Sequence, residues 1–336
     1  MTVTGGPVSD TTATTPITVD VHLTEEEWFE TISADCLTGL TSEPTWLSPV
    51  WFYDEVGSRL FDDITRLGEY YPTRAEATLL AAHAGDIVER SGADTLVELG
   101  SGTSDKTRHL LDALDDAGRL ERYVPFDVSG ETVREAADRL LDRYPDLSIH
   151  AVVGDFRRHL GEIPRDGRRL VAFLGGTIGN LRPEARRDFL VDLRATMDAD
   201  DRLLLGCDLV KDPDVLVRAY DDAAGVTADF NRNALRHLNE RLGADFHPDR
   251  FDHLARWDAD EAWIEMRLRS TSDQVVDLGE LGATVRFTEG EELRTEISAK
   301  FTPERIAAEL DRAGFAVEET WTVEPGYLLT LARPVG

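Results

Sequence analysis

The residues best placed to do chemistry in this chain sit where short apolar runs end. Residues 95–106 read TLVELGSGTSDK, an apolar run carrying Glu98 that breaks at Gly100-Ser101-Gly102 and reaches Lys106. A helical pattern follows from Asp105 to Leu114. Strand, glycine turn and helix open a nucleotide-binding α/β sheet. The glycines allow close backbone approach to a ligand, and the helix start offers free N–H groups. Asp105 stands where the third glycine of a dinucleotide fingerprint would be, which disfavours a phosphate-bearing dinucleotide.

Later strand ends carry matching polar groups. RYVPFD ends at Asp127, suited to accept from both hydroxyls of a ribose. The third strand ends in Asp155-Phe156, an acid for an adenine amino group beside a ring that can stack on the base. RLVAFL runs into Gly175-Gly176. Asp127 or Asp155 alone could equally be a helix N-cap. Taken together on successive strands, and with an E-x-G-x-G turn, they point to S-adenosylmethionine, whose amino-acid end carries no phosphate. A nicotinamide oxidoreductase fits less well.

These groups need a scaffold. Strands at 95–99, 122–127, 148–153, 169–174 and 202–209 alternate with helices at 105–114, 130–143 and 184–197. This predicts an α/β fold with a doubly wound, Rossmann-like parallel sheet; the helix and hairpin that close it resemble the end of a class I methyltransferase sheet. Helices are also expected at 24–35 and 74–90. After the fifth strand the rhythm changes: 212–242 is largely helical, and 261–270 and 283–300 resemble antiparallel strands. Helix 303–314 and hairpin 316–333 then close the sheet. The domain expectation is therefore a disordered tail at 1–20, a second, inserted α+β substrate-binding domain at 21–73 plus 211–300, and a cofactor domain at 74–210 plus 301–336. A cleft between two such units is a favoured ligand site.

Composition narrows the partners. The chain has 336 residues, with 65 acids against 36 bases and a net charge of −29. That charge repels nucleic acid and anionic membranes, and it is read as a solvated surface. The two cysteines, Cys36 and Cys207, show no zinc spacing, and the eight histidines are scattered, so no metal is expected. Cys207 in LLLGCDLV reads as a small buried hydrophobe. The Thr/Ser/Gly-rich start lacks signal-peptide character and no apolar run reaches the ~20 residues of a membrane span. A cytoplasmic monomer with a small-molecule substrate is the expectation.

WFYDEVGSRLFDDITRLGEYYPTRAE, VELGSGTSDKT, GDF and FLGGTIGN together resemble the L-histidine Nα-methyltransferases of ergothioneine biosynthesis, from about residue 24 onward. The resemblance implies a two-domain enzyme that trimethylates the α-amino nitrogen of histidine to give hercynine. It implies cofactor contacts at Gly100, Lys106, Asp127, Asp155 and Phe156, with Tyr53 and Gly175 nearby. It implies that Tyr70, Asn180 and Tyr220 hold the amino-acid end of L-histidine, that Glu296 and Ser298 hold the imidazole, and that Met266 lines the side-chain pocket.

The chemistry fits these residue types. Transfer from a sulfonium is an in-line displacement that needs an aligned neutral amine and little water. No lysine or histidine in the motifs is an obvious base; Asn180 and the tyrosines are read as orienting the amine, with water carrying the proton and Tyr53 as a candidate for assisting. Aromatic faces suit a quaternary product. Glu296 and Ser298 lie two apart and so share one face of a strand. On spacing alone, Arg294, Glu296, Ser298 and Lys300 also fit a solvated face, Tyr70 and Tyr220 fit core packing, and Asn180 fits a turn. The rival readings are a methyltransferase for another aromatic amino acid such as tryptophan, and a non-catalytic, cofactor-binding regulatory protein.

Overall fold

A computed structural model describes residues 17–102 and 106–335. Along the chain run β1 (Ile17–Val21), α1 (Glu25–Leu40), α2 (Glu55–Arg66), α3 (Pro72–Ser91), β2 (Thr95–Leu99), α4 (Arg108–Asp116), β3 (Arg122–Asp127), α5 (Gly130–Arg143), β4 (Ser148–Val153), β5 (Arg169–Phe173), α6 (Pro183–Ala195), β6 (Arg202–Asp208), α7 (Pro213–Tyr220), α8 (Val226–Leu242), β7 (Phe251–Asp258), β8 (Trp263–Ser270), β9 (Gln274–Asp277), β10 (Thr284–Phe287), β11 (Glu292–Ala299), α9 (Pro303–Arg312), β12 (Phe315–Val323) and β13 (Tyr327–Pro334). The helix start expected at Asp105 and residues 1–16 of the expected tail lie outside the described residues.

The large sheet has the order β1-β4-β3-β2-β5-β6-β13-β12. All of its pairs are parallel except β6–β13 and β12–β13. Strand order reverses at β2, which lies between β3 and β5, so the ligand crevice falls at the carboxyl ends of β2 and β5. β2 and β5 are buried along their whole length, as central parallel strands require. Alternate residues feed the two faces: Leu96, Tyr123, Ile149 and Leu170 pack with Leu80, Ile87 and Leu110 of α3 and α4. Val97, Phe126, Val171 and Leu203 pack on the other face with Phe189, Leu193 and Leu310 of α6 and α9. Cys207 is fully buried there.

One expectation is corrected at the amino terminus. Residues 17–20, expected within a disordered tail, form β1 with Val21 and pair in parallel with β4 from Ile17↔Ile149 to Val21↔Val153. Val21, expected to open the substrate-binding part, thus joins the large sheet. The alternation of ITVDV was hidden by the Thr-rich composition before it, and the Asp20–His150 contact (2.6 Å) anchors the edge. The single strand expected at 283–300 is divided into β10 and β11 by a turn at Thr288–Glu291. β7 escaped the sequence because it is half-exposed without clean alternation, and β9 because it is four residues long and its buried Gln274 breaks the apolar pattern.

Beyond α8 the chain forms an antiparallel sheet, β11-β8-β7, and a two-stranded ribbon, β10-β9. The end of β11 hooks onto the end of β6: Phe301 N donates to Asp208 O (2.9 Å) and Val210 N to Phe301 O (2.8 Å). The turn at Thr177–Asn180 presses on the same strand. A Cβ at Gly179 would stand 2.8 Å from the Ala299 carbonyl oxygen, so only glycine permits this approach. The segment before α2 closes the far edge of β11, with Leu47 N donating to Arg294 O (2.8 Å). Trp51 and Phe52 are buried beneath α8, and Phe52 lies 4.6 Å from the Phe230 ring. Each such aromatic contributes ~2–3 kcal/mol of burial.

Candidate active site

The cofactor side is built at the β2/β5 switch point. Gly100 takes a φ of +70°, and a Cβ placed there would meet open space. Gly100 N donates to Phe126 O (2.8 Å), which locks the turn to the end of β3. Glu98, the acid of the opening motif, points inward. Thr107 and Tyr123 donate to its carboxylate, and burial pushes its carboxyl up to about 7. It ties β2 to the start of α4 and does not face the crevice.

Asp127 is half-buried at the end of β3. Its two oxygens accept from Gly102 N and Ser129 N, each at 3.1 Å. Each oxygen keeps a lone pair, which is what a ribose diol needs. Lys106 is ion-paired with the fully buried Glu76, which also accepts from Gly175 N (2.8 Å) and Tyr327 OH (2.7 Å). A Cβ at Gly175 would come within 3.6 Å of Lys106 Nζ. Lys106 and Gly175 therefore border one space. These residues fit a ligand with a ribose and an α-amino-acid end. At the end of β4, Asp155 accepts from Arg157 N (2.9 Å) and is ion-paired with its guanidinium (3.1 Å). An adenine amino group would share that carboxylate with Arg157. Phe156 stands edge-on to Phe173 and Phe189, 5.6 and 5.5 Å away, and stays partly exposed.

The substrate side gathers residues from distant segments. Asn180, in the turn after β5, donates Nδ2–H to Glu296 Oε1 (2.6 Å) and to Ile297 O (2.8 Å). Glu296 pairs across the sheet with Met266, so both project to one face, and Met266 is buried. Burial pushes the Glu296 carboxyl up to about 7, while the Asn180 hydrogen bond and Lys300 oppose the shift. Ser298 Oγ lies 2.8 Å from Tyr220 OH at the end of α7. The Tyr70 ring is 6.1 Å from Tyr220 and 6.1 Å from Phe61.

Tyr53 closes the wall. It is 50 % exposed, yet its ring meets Phe61 and Phe230, each at 5.8 Å, and its phenol feels Glu296 and Tyr220. This is the signature of a side chain that faces a cleft. Asp54 beside it caps α2 through Gly57 N (2.6 Å) and accepts from Asn233 of α8 (2.7 Å), which fixes the turn. Burial raises the pKa of Tyr70 and Tyr220, and desolvation by the surrounding cleft wall together with Glu296 raises that of the half-exposed Tyr53, so all three are neutral phenols at physiological pH.

Tyr53, Tyr70, Asn180, Tyr220, Met266, Glu296 and Ser298 thus converge, and the alternatives of solvated strand and plain turn do not describe them. Glu296 and Ser298 lie on a half-buried to buried face, and Lys300, grouped with them as solvated, is 1 % exposed. Beside the site, the buried charges of Glu76, Asp208 and Lys300 were missed in the sequence. Glu76 ends the EYYPTRAE segment, and Asp208 follows the last apolar residue of β6. Lys300 continues the alternation of Glu296 and Ser298. Only that last pattern was a usable signal. Among the described residues, no group of His, Cys, Asp and Glu is arranged to hold a metal ion, and no helix is long and apolar enough to cross a membrane.

Sheet order and strand-end residues define an S-adenosylmethionine-dependent methyltransferase of class I, with an added antiparallel sheet against its crevice. The chain belongs to the histidine-specific, SAM-dependent methyltransferase family, which matches residues 32–333. It is 53 % identical to a histidine N-alpha-methyltransferase from Mycolicibacterium smegmatis over 91 % of this chain and 95 % of that protein. It is 53 % identical to the Mycobacterium tuberculosis protein of the same name over 92 % of this chain and 97 % of that one. An ergothioneine biosynthesis protein 1 from Neurospora crassa is 34 % identical over 60 % of this chain, which spans 23 % of that longer protein.

Proposed function

We propose that this protein transfers methyl groups from S-adenosylmethionine to the α-amino nitrogen of L-histidine, three in succession, yielding hercynine as the first step of ergothioneine biosynthesis. The observation that carries this reading is the convergence of Glu296, Asn180, Ser298 and Tyr220 beside the β2/β5 crevice. A carboxylate and a hydroxyl held on one face suit the two nitrogens of an imidazole. An indole offers a single N–H and needs more room.

On this reading Gly100, Lys106 and Gly175 hold the amino-acid end of the donor, Asp127 its ribose, and Asp155 with Phe156 its adenine. The bound donor supplies an electrophilic methyl on a sulfonium. Tyr70, Asn180 and Tyr220 orient the amino-acid end of histidine, and Met266 packs on its side chain. The segments at 22–73 and 211–300 act as the substrate-binding part and 74–210 with 301–335 as the cofactor part. Conversion of an ammonium to a trimethylammonium releases three protons. The neutral phenols cannot take them, so water carries them out. Tyr53 steadies the amine, and the ring faces around it accommodate the growing cation.

The test is incubation with S-adenosylmethionine and all twenty amino acids, followed by mass spectrometry. Mono-, di- and trimethylated histidine are expected. Methylation of tryptophan instead, or of nothing, sinks the proposal.

A further inference from the structure

Lys300 follows β11 and is 1 % exposed. A buried ammonium costs several kcal/mol unless its hydrogens find partners. All three do: Nζ donates to Tyr220 OH (2.9 Å) and Ser298 Oγ (2.9 Å), and lies 3.1 Å from Asp208 Oδ2. Asp208 has a second cation besides Lys300. Lys211 is ion-paired with its other oxygen, and Tyr71 OH donates to Oδ2 (2.6 Å). Lys300 is also aimed at two hydroxyls that border Glu296 and Tyr70.

Lys300 donates to both hydroxyl oxygens, and Tyr220 and Ser298 also bond each other. The two O–H hydrogens therefore satisfy one contact between them, and one hydrogen is left over in either arrangement. Its acceptor must come from the cleft. We propose that Lys300 is a specificity-determining positioning residue: with Tyr220 OH donating to Ser298 Oγ, the Ser298 O–H is left to donate toward the cleft and so selects a substrate ring bearing a lone-pair nitrogen opposite the N–H read by Glu296. This rests on the histidine reading above.

The same cation acts on Glu296. The groups facing that carboxyl are Asn180 from the turn after β5, Tyr53 from the turn before α2, Tyr70 before α3, Tyr220 from α7 and Lys300 past its own strand. The three phenols are neutral. Lys300 is the charged side chain that favours the carboxylate.

The test compares Lys300→Met with the unaltered protein, using histidine and a pyrrolylalanine that keeps the ring N–H but has carbon in place of the second nitrogen. The unaltered protein should reject the pyrrole analogue ~100-fold, since a buried donor is left unpaired. Lys300→Met should raise KM for histidine ~30-fold, shrink the rejection below ~10-fold and move the acid limb of kcat/KM to higher pH, with S-adenosylhomocysteine affinity within ~2-fold. An unchanged KM and acid limb overturn the assignment. So does a parallel loss of KM and S-adenosylhomocysteine affinity, as a structural role would give. If the variant does not fold, the analogue on unaltered protein decides: equal turnover of pyrrole and histidine overturns the assignment, and strong rejection supports it. No methylation of histidine by the unaltered protein sinks the histidine reading first, and that control tells the two failures apart.

Discussion

On the cofactor side, Gly100, Asp127 and Gly175 sit at the ends of neighbouring parallel strands and present backbone, glycine and single carboxylates. On the substrate side, Tyr53, Tyr70, Asn180, Tyr220 and Glu296 come from five separate segments and meet through side chains. The first region is a property of one sheet. The second exists only where β11 hooks onto β6 and the Thr177–Asn180 turn packs against it. A backbone-built cradle follows from the sheet itself, whereas a wall of buried polar side chains depends on how distant segments pack. The two regions should therefore fail independently.

The largest expected effect is on the substrate side. Glu296→Ala leaves Asn180 Nδ2 short of an acceptor and removes the group that reads a ring N–H. KM for histidine should rise ~10²-fold, with S-adenosylhomocysteine affinity by calorimetry unchanged. A joint loss of both would break the separation of the two regions. The pH response sharpens it further. Burial raises the Glu296 carboxyl to about 7, so it takes up a proton as pH falls through that value and ceases to be a pure acceptor. The acid side of the kcat/KM profile for histidine should steepen by a further ~10-fold per unit below pH 7, beyond the slope set by the substrate's own ammonium. In Glu296→Gln that added step should vanish, leaving only the titrations of the substrate's own ring and α-amino group. On the cofactor side, Asp127→Ala should weaken donor binding ~10-fold, while KM for histidine at saturating donor stays put. Smallest is Tyr53→Phe, which keeps the ring contacts with Phe61 and Phe230 and should lower kcat less than ~5-fold. A larger drop in single-turnover rate would show that the hydroxyl does more than steady the amine.

Legibility followed the same division. β2, β3, β4 and α5 fall where apolar periodicity put them, because each is specified by its own residues and a breaker at its end. The strand-end groups Gly100 and Asp127 were visible for that reason. Asp155 shows the limit: its position was readable, but its bond to Arg157 was not, because a side chain two residues away can turn toward it or away. β1 was missed since an edge strand is specified by the partner it finds, here β4. For Tyr70, Asn180, Glu296 and Ser298, spacing favoured core packing, turn or solvated strand, and resemblance alone favoured a site.

What the residues determined by themselves is the order of elements, the glycine turn and the acids that follow each strand, since these depend on neighbours within a few positions. What only the tertiary structure decided is the burial of Lys300, Asp208 and Glu76 and the meeting of Asn180 with Glu296. Burial is a property of packing between segments far apart in the chain, from 80 residues for Lys300 and Tyr220 to 251 for Glu76 and Tyr327. It turns a lysine that reads as solvated into a fixed donor, and a carboxylate that reads as ordinary into a group that titrates near neutrality.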